Sequence, residues 1–148
     1  MVTVKEATVS DLPELLSLFL GYLDFYNAPG ERDDAEAFIR ARMELSQSTI
    51  LLAHDGEVAV GFTQLYPSFS SVRRKPVWIL NDLFVHPDHR RAGVARALMQ
   101  AAAAKAEAAG IVRIELSTDE TNHEAQALYE AEGYRTGLPV RYYIKRIS

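Results

Sequence analysis

The sequence has no cysteine. That excludes disulfide cross-links and thiolate metal ligands, so stability has to come from burial and hydrogen bonding. No apolar run approaches the roughly 20 residues needed to span a bilayer. The opening residues Met1-Val2-Thr3-Val4-Lys5-Glu6 hold no secretory hydrophobic segment, and a cytoplasmic location is expected. Basic excess is missing too. The 16 Lys and Arg against 20 Asp and Glu leave a net charge of −4, which argues against general nucleic-acid binding and would suit a cationic substrate. The 4 histidines (His54, His86, His89 and His123) include no pair at the helical i, i+4 spacing of metal ligands, and no metal is expected. Repeats, linkers and low-complexity tracts are also absent.

What is present is one domain's worth of chain, 148 residues of which 48% are hydrophobic. Residues 2–7 alternate like a strand. Ser10 followed by Asp11-Leu12-Pro13-Glu14 is a helix start, and Leu12, Leu15, Leu16, Phe19, Leu20 and Leu23 follow at helical spacing to about Asp24. A second helix is expected over residues 33–46, with Ala37, Phe38, Ala41 and Leu45 on one side. Residues 49–54 and 57–66 form a hairpin about Asp55-Gly56, and Gly61 allows close backbone approach. Residues 67–76 read as a polar connection, either a solvated loop or a flap at a substrate mouth. The run 77–85 is a buried strand that His86-Pro87-Asp88 ends. An alanine-rich helix, with Ala97, Ala101, Ala104 and Ala108 against the sheet, ends at Gly110. Strand 111–116 follows, then a helix from Thr121 or Asn122 to Glu132, and a final strand 141–147. Strand, helix, strand in this order implies a parallel crossover.

Between the central strand and the alanine-rich helix lies Arg90-Arg91-Ala92-Gly93-Val94-Ala95-Arg96. The first N–H groups of a helix lack internal partners and carry part of its dipole. A glycine there admits close approach, and the arginines add positive charge. The turn is a seat for a phosphorylated ligand or, more plainly, a strand-to-helix turn with solvated arginines. It is no nucleotide-hydrolase loop, because no Gly-Lys-(Ser/Thr) is present.

Arg90-x-x-Gly93-x-Ala95 resembles the acetyl-CoA signature (Gln/Arg)-x-x-Gly-x-(Gly/Ala) of the GCN5-related N-acetyltransferases. The downstream block Asn122-x-x-Ala125-x-x-Leu128-Tyr129-x-x-x-Gly133-Tyr134 is similar to that family's next helix and strand, in the family's order and spacing. The resemblance covers most of the chain. It implies the acyl-CoA N-acyltransferase fold, an α/β architecture whose mixed central sheet of about six to seven strands has an antiparallel N-terminal part and a parallel crossover, flanked by about four helices. It also implies acetyl-CoA as co-substrate, held where two parallel central strands splay apart, and a homodimer.

On that resemblance residues 90–96 (Arg90, Arg91, Ala92, Gly93, Val94, Ala95 and Arg96) hold the pyrophosphate. Leu83, Phe84 and Val85 meet the pantetheine through backbone atoms, with the Leu83 N–H as oxyanion donor. Asn122 bonds the pantetheine or simply caps its helix. Tyr129 matches the family's general acid; a phenol of pKa about 10 stays protonated at neutral pH and can donate. Asn81 and Asp82 interrupt a buried apolar run and therefore need partners, water or a cleft. Asn81 stands where relatives carry a basic glutamate and cannot take a proton, which leaves Asp82 as the nearest acid, for the proton or for a cationic amine. Strict alternation would put the two on opposite faces unless a bulge intervenes. Tyr22, Phe25, Tyr26 and Asn27 close the first helix, where relatives build a wall of the acceptor site, and Tyr66 and Trp78 are further candidates; core packing is the alternative for each. The expected activity is transfer of acetyl from acetyl-CoA to a primary amine (a small amine, polyamine, amino acid, or protein lysine or N-terminus) by direct attack in a ternary complex. The alternative is a non-catalytic acyl-CoA-binding or sensing module of the same fold.

Overall fold

The computed structural model describes all residues from Met1 to Ser148. Its contacts divide the chain into two units, Met1–Ser117 and Thr118–Ser148.

The larger unit is built on one sheet of 5 strands in the order β1-β2-β3-β4-β5. These are β1 (Val2–Glu6), β2 (Thr49–Asp55), β3 (Val58–Ser70), β4 (Lys75–Val85) and β5 (Ile114–Glu115). The first three pairings are antiparallel, and β4–β5 is parallel. Helices α1 (Leu12–Phe25) and α2 (Arg32–Glu44) precede β2, and α3 (Val94–Ala108) makes the crossover from β4 to β5. Alternation along β2 sorts the core into two layers. Ile50 and Leu52 join Phe62, Phe84 and the α1 leucines on one side. Leu51 and Ala53 join Val60, Leu65, Trp78, Leu80 and α3 on the other.

Helix α1 buries the stripe read from its spacing, Leu12, Leu15, Leu16 and Phe19. Its entry is set by Asp11 rather than Ser10. The Asp11 carboxylate accepts from the Thr8 N–H at 2.8 Å and from Lys5 Nζ at 2.7 Å. Burial acts to raise the Asp11 pKa, but these bonds outweigh it and hold the group below its ordinary value. In α2 the buried residues are Ala35 and Ile39, with Met43 packed beside them, not the expected stripe of Ala37, Phe38, Ala41 and Leu45. The helix carries two apolar rows, and the i, i+4 row containing the branched Ile39 takes the core. In α3 the sheet-facing stripe is Val94, Leu98, Ala102 and Ala106. Ala104 and Ala108 are exposed, because the row with Val94 and Leu98 buries more apolar area than an all-alanine row. Gly61 supplies the expected close approach: a Cβ there would lie 2.8 Å from the Phe84 carbonyl and 3.1 Å from Val94.

The strand count is 5, below the six to seven expected. Strand β5 is only Ile114–Glu115, and residues 135–148 form neither helix nor strand. The expected strand 141–147 is rich in tyrosine and isoleucine, but such a composition becomes a strand only where a neighbouring strand offers a ladder. The supposed loop 67–76 is instead mostly strand. Pro67 faces Trp78 and Phe69 faces Pro76 across a β3–β4 ribbon, closed by a turn in which Arg74 has φ 54°. Pro67 lies where only one side of β3 is paired, since β2 reaches β3 no further than Leu65.

In the smaller unit α4 (His123–Ala131) is capped by Asn122, whose Oδ1 accepts from the Ala125 N–H at 3.1 Å. Gly133 at φ 91° ends it, and the Tyr134 N–H donates to the Tyr129 carbonyl at 3.0 Å.

Candidate active site

Strand β4 is irregular at the point where the sequence places two polar residues. Gln64 pairs with Asp82, but the next residue of β3, Leu65, pairs with Leu80. Asn81 is therefore an extra residue, the bulge that alternation alone forbids one to assume. Leu80 stays in the α3 layer, Asp82 points to the α1 side, and Asn81 is left exposed beside it. Beside the bulge the buried Thr63 hydroxyl donates to the Asp82 carbonyl at 2.7 Å.

The Asp82 side chain is only 4% exposed and is surrounded by donors. Tyr22 Oη donates to Oδ1 at 3.0 Å, Asn81 Nδ2 donates to Oδ1 at 2.8 Å, and Gln64 Nε2 donates to Oδ2 at 2.5 Å. Gln64 is oriented in turn by Ser48, whose hydroxyl donates to Gln64 Oε1 at 2.7 Å. A carboxylate offers about four acceptor positions, so one on Oδ2 remains. Burial, and then the Asp82 charge, push the Tyr22 phenol well above its ordinary pKa, which keeps it a donor. Tyr66 is raised by the same two causes, with Arg42 acting in the opposite sense. Gln64, Ser48 and Thr63 escape a sequence reading built on β4. Their signal was the polar pair Thr63-Gln64 inside the apolar run of β3.

Aromatic rings line the approach. Tyr22 lies 4.9 Å from Tyr26 and 6.4 Å from Phe84, centroid to centroid, while Tyr26 and Phe25 remain more than half exposed. Trp78 faces the other way, into the α3 layer, and is core.

On its far side β4 pairs with β5 only at Trp78↔Ile114 and Ile79↔Glu115. Beyond Ile79 the two strands part, and the backbone of Leu83 and Val85 has no strand on that side. The turn that follows runs from His86 through a short 3-10 helix, Pro87–His89, to Gly93, the N-cap of α3. Gly93 has φ 80°, and nothing lies within 4 Å of where its Cβ would be. Arg91, a non-glycine residue, has φ 65°, a conformation costing roughly 1–2 kcal/mol and concentrated at ligand sites. The Val94 and Ala95 N–H groups therefore open a helix start with an unobstructed approach, which fits a diphosphate. Arg90 turns back: Nε donates to the Val85 carbonyl at 3.1 Å, and the guanidinium lies 5.4 Å from the Phe25 ring centroid. In the smaller unit Tyr129 is half-buried on α4, its ring 6.3 Å from that of Tyr134, and Asn122 is occupied as a cap.

The acetyltransferase (GNAT) family pattern matches residues 13–134. The chain is 41% identical to the uncharacterized N-acetyltransferase YhfO of Bacillus subtilis over 90% of its own length and 89% of that protein's. It is 34% identical over 57% of its length to the D-amino-acid N-acetyltransferase of Saccharomyces cerevisiae, covering 54% of that protein. The crystal structure of a probable acetyltransferase superposes with a TM-score of 0.94 at 38% identity, covering 99% of this chain and 98% of that one. Parted central strands, an open glycine at the start of the crossover helix and a sequence match across most of the chain converge: the protein belongs to the GNAT family of acetyltransferases.

Proposed function

We propose that this N-acetyltransferase moves acetyl from acetyl-CoA to a primary amine by direct attack, with Asp82 receiving the amine's proton. The observation that carries the reading is the buried Asp82 carboxylate, held by three donors, with one acceptor position left and no ion pair.

When bound, acetyl-CoA supplies a thioester carbonyl activated towards nucleophiles. The helix-start amides of Val94 and Ala95, reached past Gly93, hold the diphosphate. The Leu83 backbone and the Val85 N–H meet the extended arm as a neighbouring strand would, the Val85 carbonyl being taken by Arg90, and the Leu83 N–H is the donor for developing oxygen charge. An amine is protonated at neutral pH and cannot attack until it loses a proton. Asp82 takes that proton, the freed nitrogen lone pair forms the new C–N bond, the C–S bond breaks, and the nitrogen gives up its second proton to solvent as the amide forms. Tyr129 returns a proton to the departing sulfur; its support is the spacing Asn122-x-x-Ala125-x-x-Leu128-Tyr129. Asn81 supplies no proton chemistry of its own but donates to Asp82.

The test is release of free CoA across a panel of primary amines. Asp82→Asn removes the acceptor for the proton, and kcat should fall by about 10²–10⁴, the range for loss of a general base. Tyr129→Phe should lower kcat with little change in acetyl-CoA affinity. Full turnover in Asp82→Asn would assign the proton to another group.

A further inference from the structure

Resting on that reading, we infer that the acceptor carries a carboxylate as well as its amine, and that Arg42 is the residue that binds it: the substrate is an amino acid rather than a simple amine or polyamine.

The residue that prompts this is on α2. Arg42 Nε is buried and has no hydrogen-bond partner. The guanidinium lies over the Phe38 ring, 4.5 Å from its centroid, rather than against a carboxylate. A neighbour on the same helix behaves differently: Arg40 pairs with both Glu36 and Glu44. An arginine that leaves a buried N–H unmet forgoes a hydrogen bond it had in water, and a ligand that supplied the acceptor would restore it.

Arg42 and Asp82 are joined by a run of neighbouring rings. Phe38 stacks on Phe19 at 6.1 Å, Phe19 on Tyr22 at 6.1 Å, and Tyr22 donates to Asp82. A second link runs through the chain itself. The Arg42 carbonyl accepts from the Gln47 N–H, and the adjacent Ser48 donates to Gln64, which donates to Asp82. Both charges also act on one phenol, that of Tyr66, in opposite directions. The two ends of that run thus hold an anion with an acceptor position to spare and a cation with a donor to spare, and the two are not paired with each other. A molecule with an ammonium and a carboxylate satisfies both. A polyamine would satisfy Asp82 and leave Arg42 facing a second positive charge. Arginine rather than lysine suits the role, since its planar fork matches a carboxylate.

The experiment compares, in the intact protein with acetyl-CoA, free amino acids against the same compounds as carboxamides and as decarboxylated amines. Lysine against lysinamide and cadaverine tests a side-chain amine, and α-amino acids with unreactive side chains test the α-amine. The free acid should be preferred by about tenfold or more in kcat/KM, the equivalent of one charge-assisted hydrogen bond. Arg42→Met should reduce that preference by about the same factor, through KM rather than kcat, and Arg42→Lys should restore part of it. Equal rates on acids and carboxamides in the wild type overturn the inference without any variant, as does a preference that Arg42→Met leaves intact. If amines are acetylated but amino acids are poor substrates, the inference fails and acetyl transfer stands. If no compound releases CoA, acetyl transfer fails and takes the inference with it.

Discussion

Three separate stretches of chain end their hydrogen bonds on Asp82: Tyr22 from α1, Gln64 from β3 and Asn81 from the bulge. Removing any one leaves a buried carboxylate short of a donor, at a cost of about 1–3 kcal/mol. Tyr22→Phe is the cleanest case, since it keeps the ring contacts with Phe19 and Phe62 and deletes only the hydroxyl. Urea unfolding should give a loss of about 1–2 kcal/mol; an unchanged midpoint would mean that water already serves Asp82 in its place. Asp82 itself was legible in the sequence, because a charge in an apolar run has to be explained. Its partners were not, since residues 18 and 60 positions away are joined to it only by the fold.

At the scale of elements, the entry to α1 carries a pH dependence of known sign. The folded Asp11 carboxyl titrates below its ordinary value, so its contribution is fully present above the unfolded pKa of about 4 and is lost as pH falls through the lower folded value. The stability difference between wild type and Asp11→Asn, about 1 kcal/mol for weakened charge-assisted bonds from Thr8 and Lys5, should stay constant from about pH 5 to pH 8 and shrink below pH 4. Denaturant midpoints across that range measure it; a difference that grows on acidification would reverse the assignment. Elements also mark the limits of the sequence reading. Helices α1, α3 and α4 announced themselves by caps and glycine stops, because those signals are local. The buried faces of α2 and α3 did not, since several apolar rows compete on one helix and the sheet chooses among them. The expected strand at residues 141–147 failed for a related reason: β-favouring side chains describe the segment alone, while a strand needs a partner.

For the molecule as a whole, binding and folding are linked. A ligand that recognises only the folded chain adds about 2.7 kcal/mol at a free concentration one hundred times its Kd. Acetyl-CoA should raise the melting temperature accordingly, and Gly93→Glu should abolish the shift by placing bulk and negative charge at the start of α3. A full shift in that variant would move the phosphate seat elsewhere. The acidic balance, 20 acids against 16 bases, is compatible with an ammonium-bearing acceptor but does not select one; that selection rests with Arg42 and Asp82.

The single inserted residue in β4 also sets a trade between holding together and working. Were Asn81 deleted, Leu80, Asp82, Leu83 and Phe84 would still alternate correctly between the two layers, so the strand could close up without displacing the core. A straight β4 would then be free to zip further along β5, past Ile79 where they now separate. The shortened protein would lose one donor to Asp82 and gain ladder bonds where the coenzyme's arm needs them vacant, so that its own strand would shut out its co-substrate.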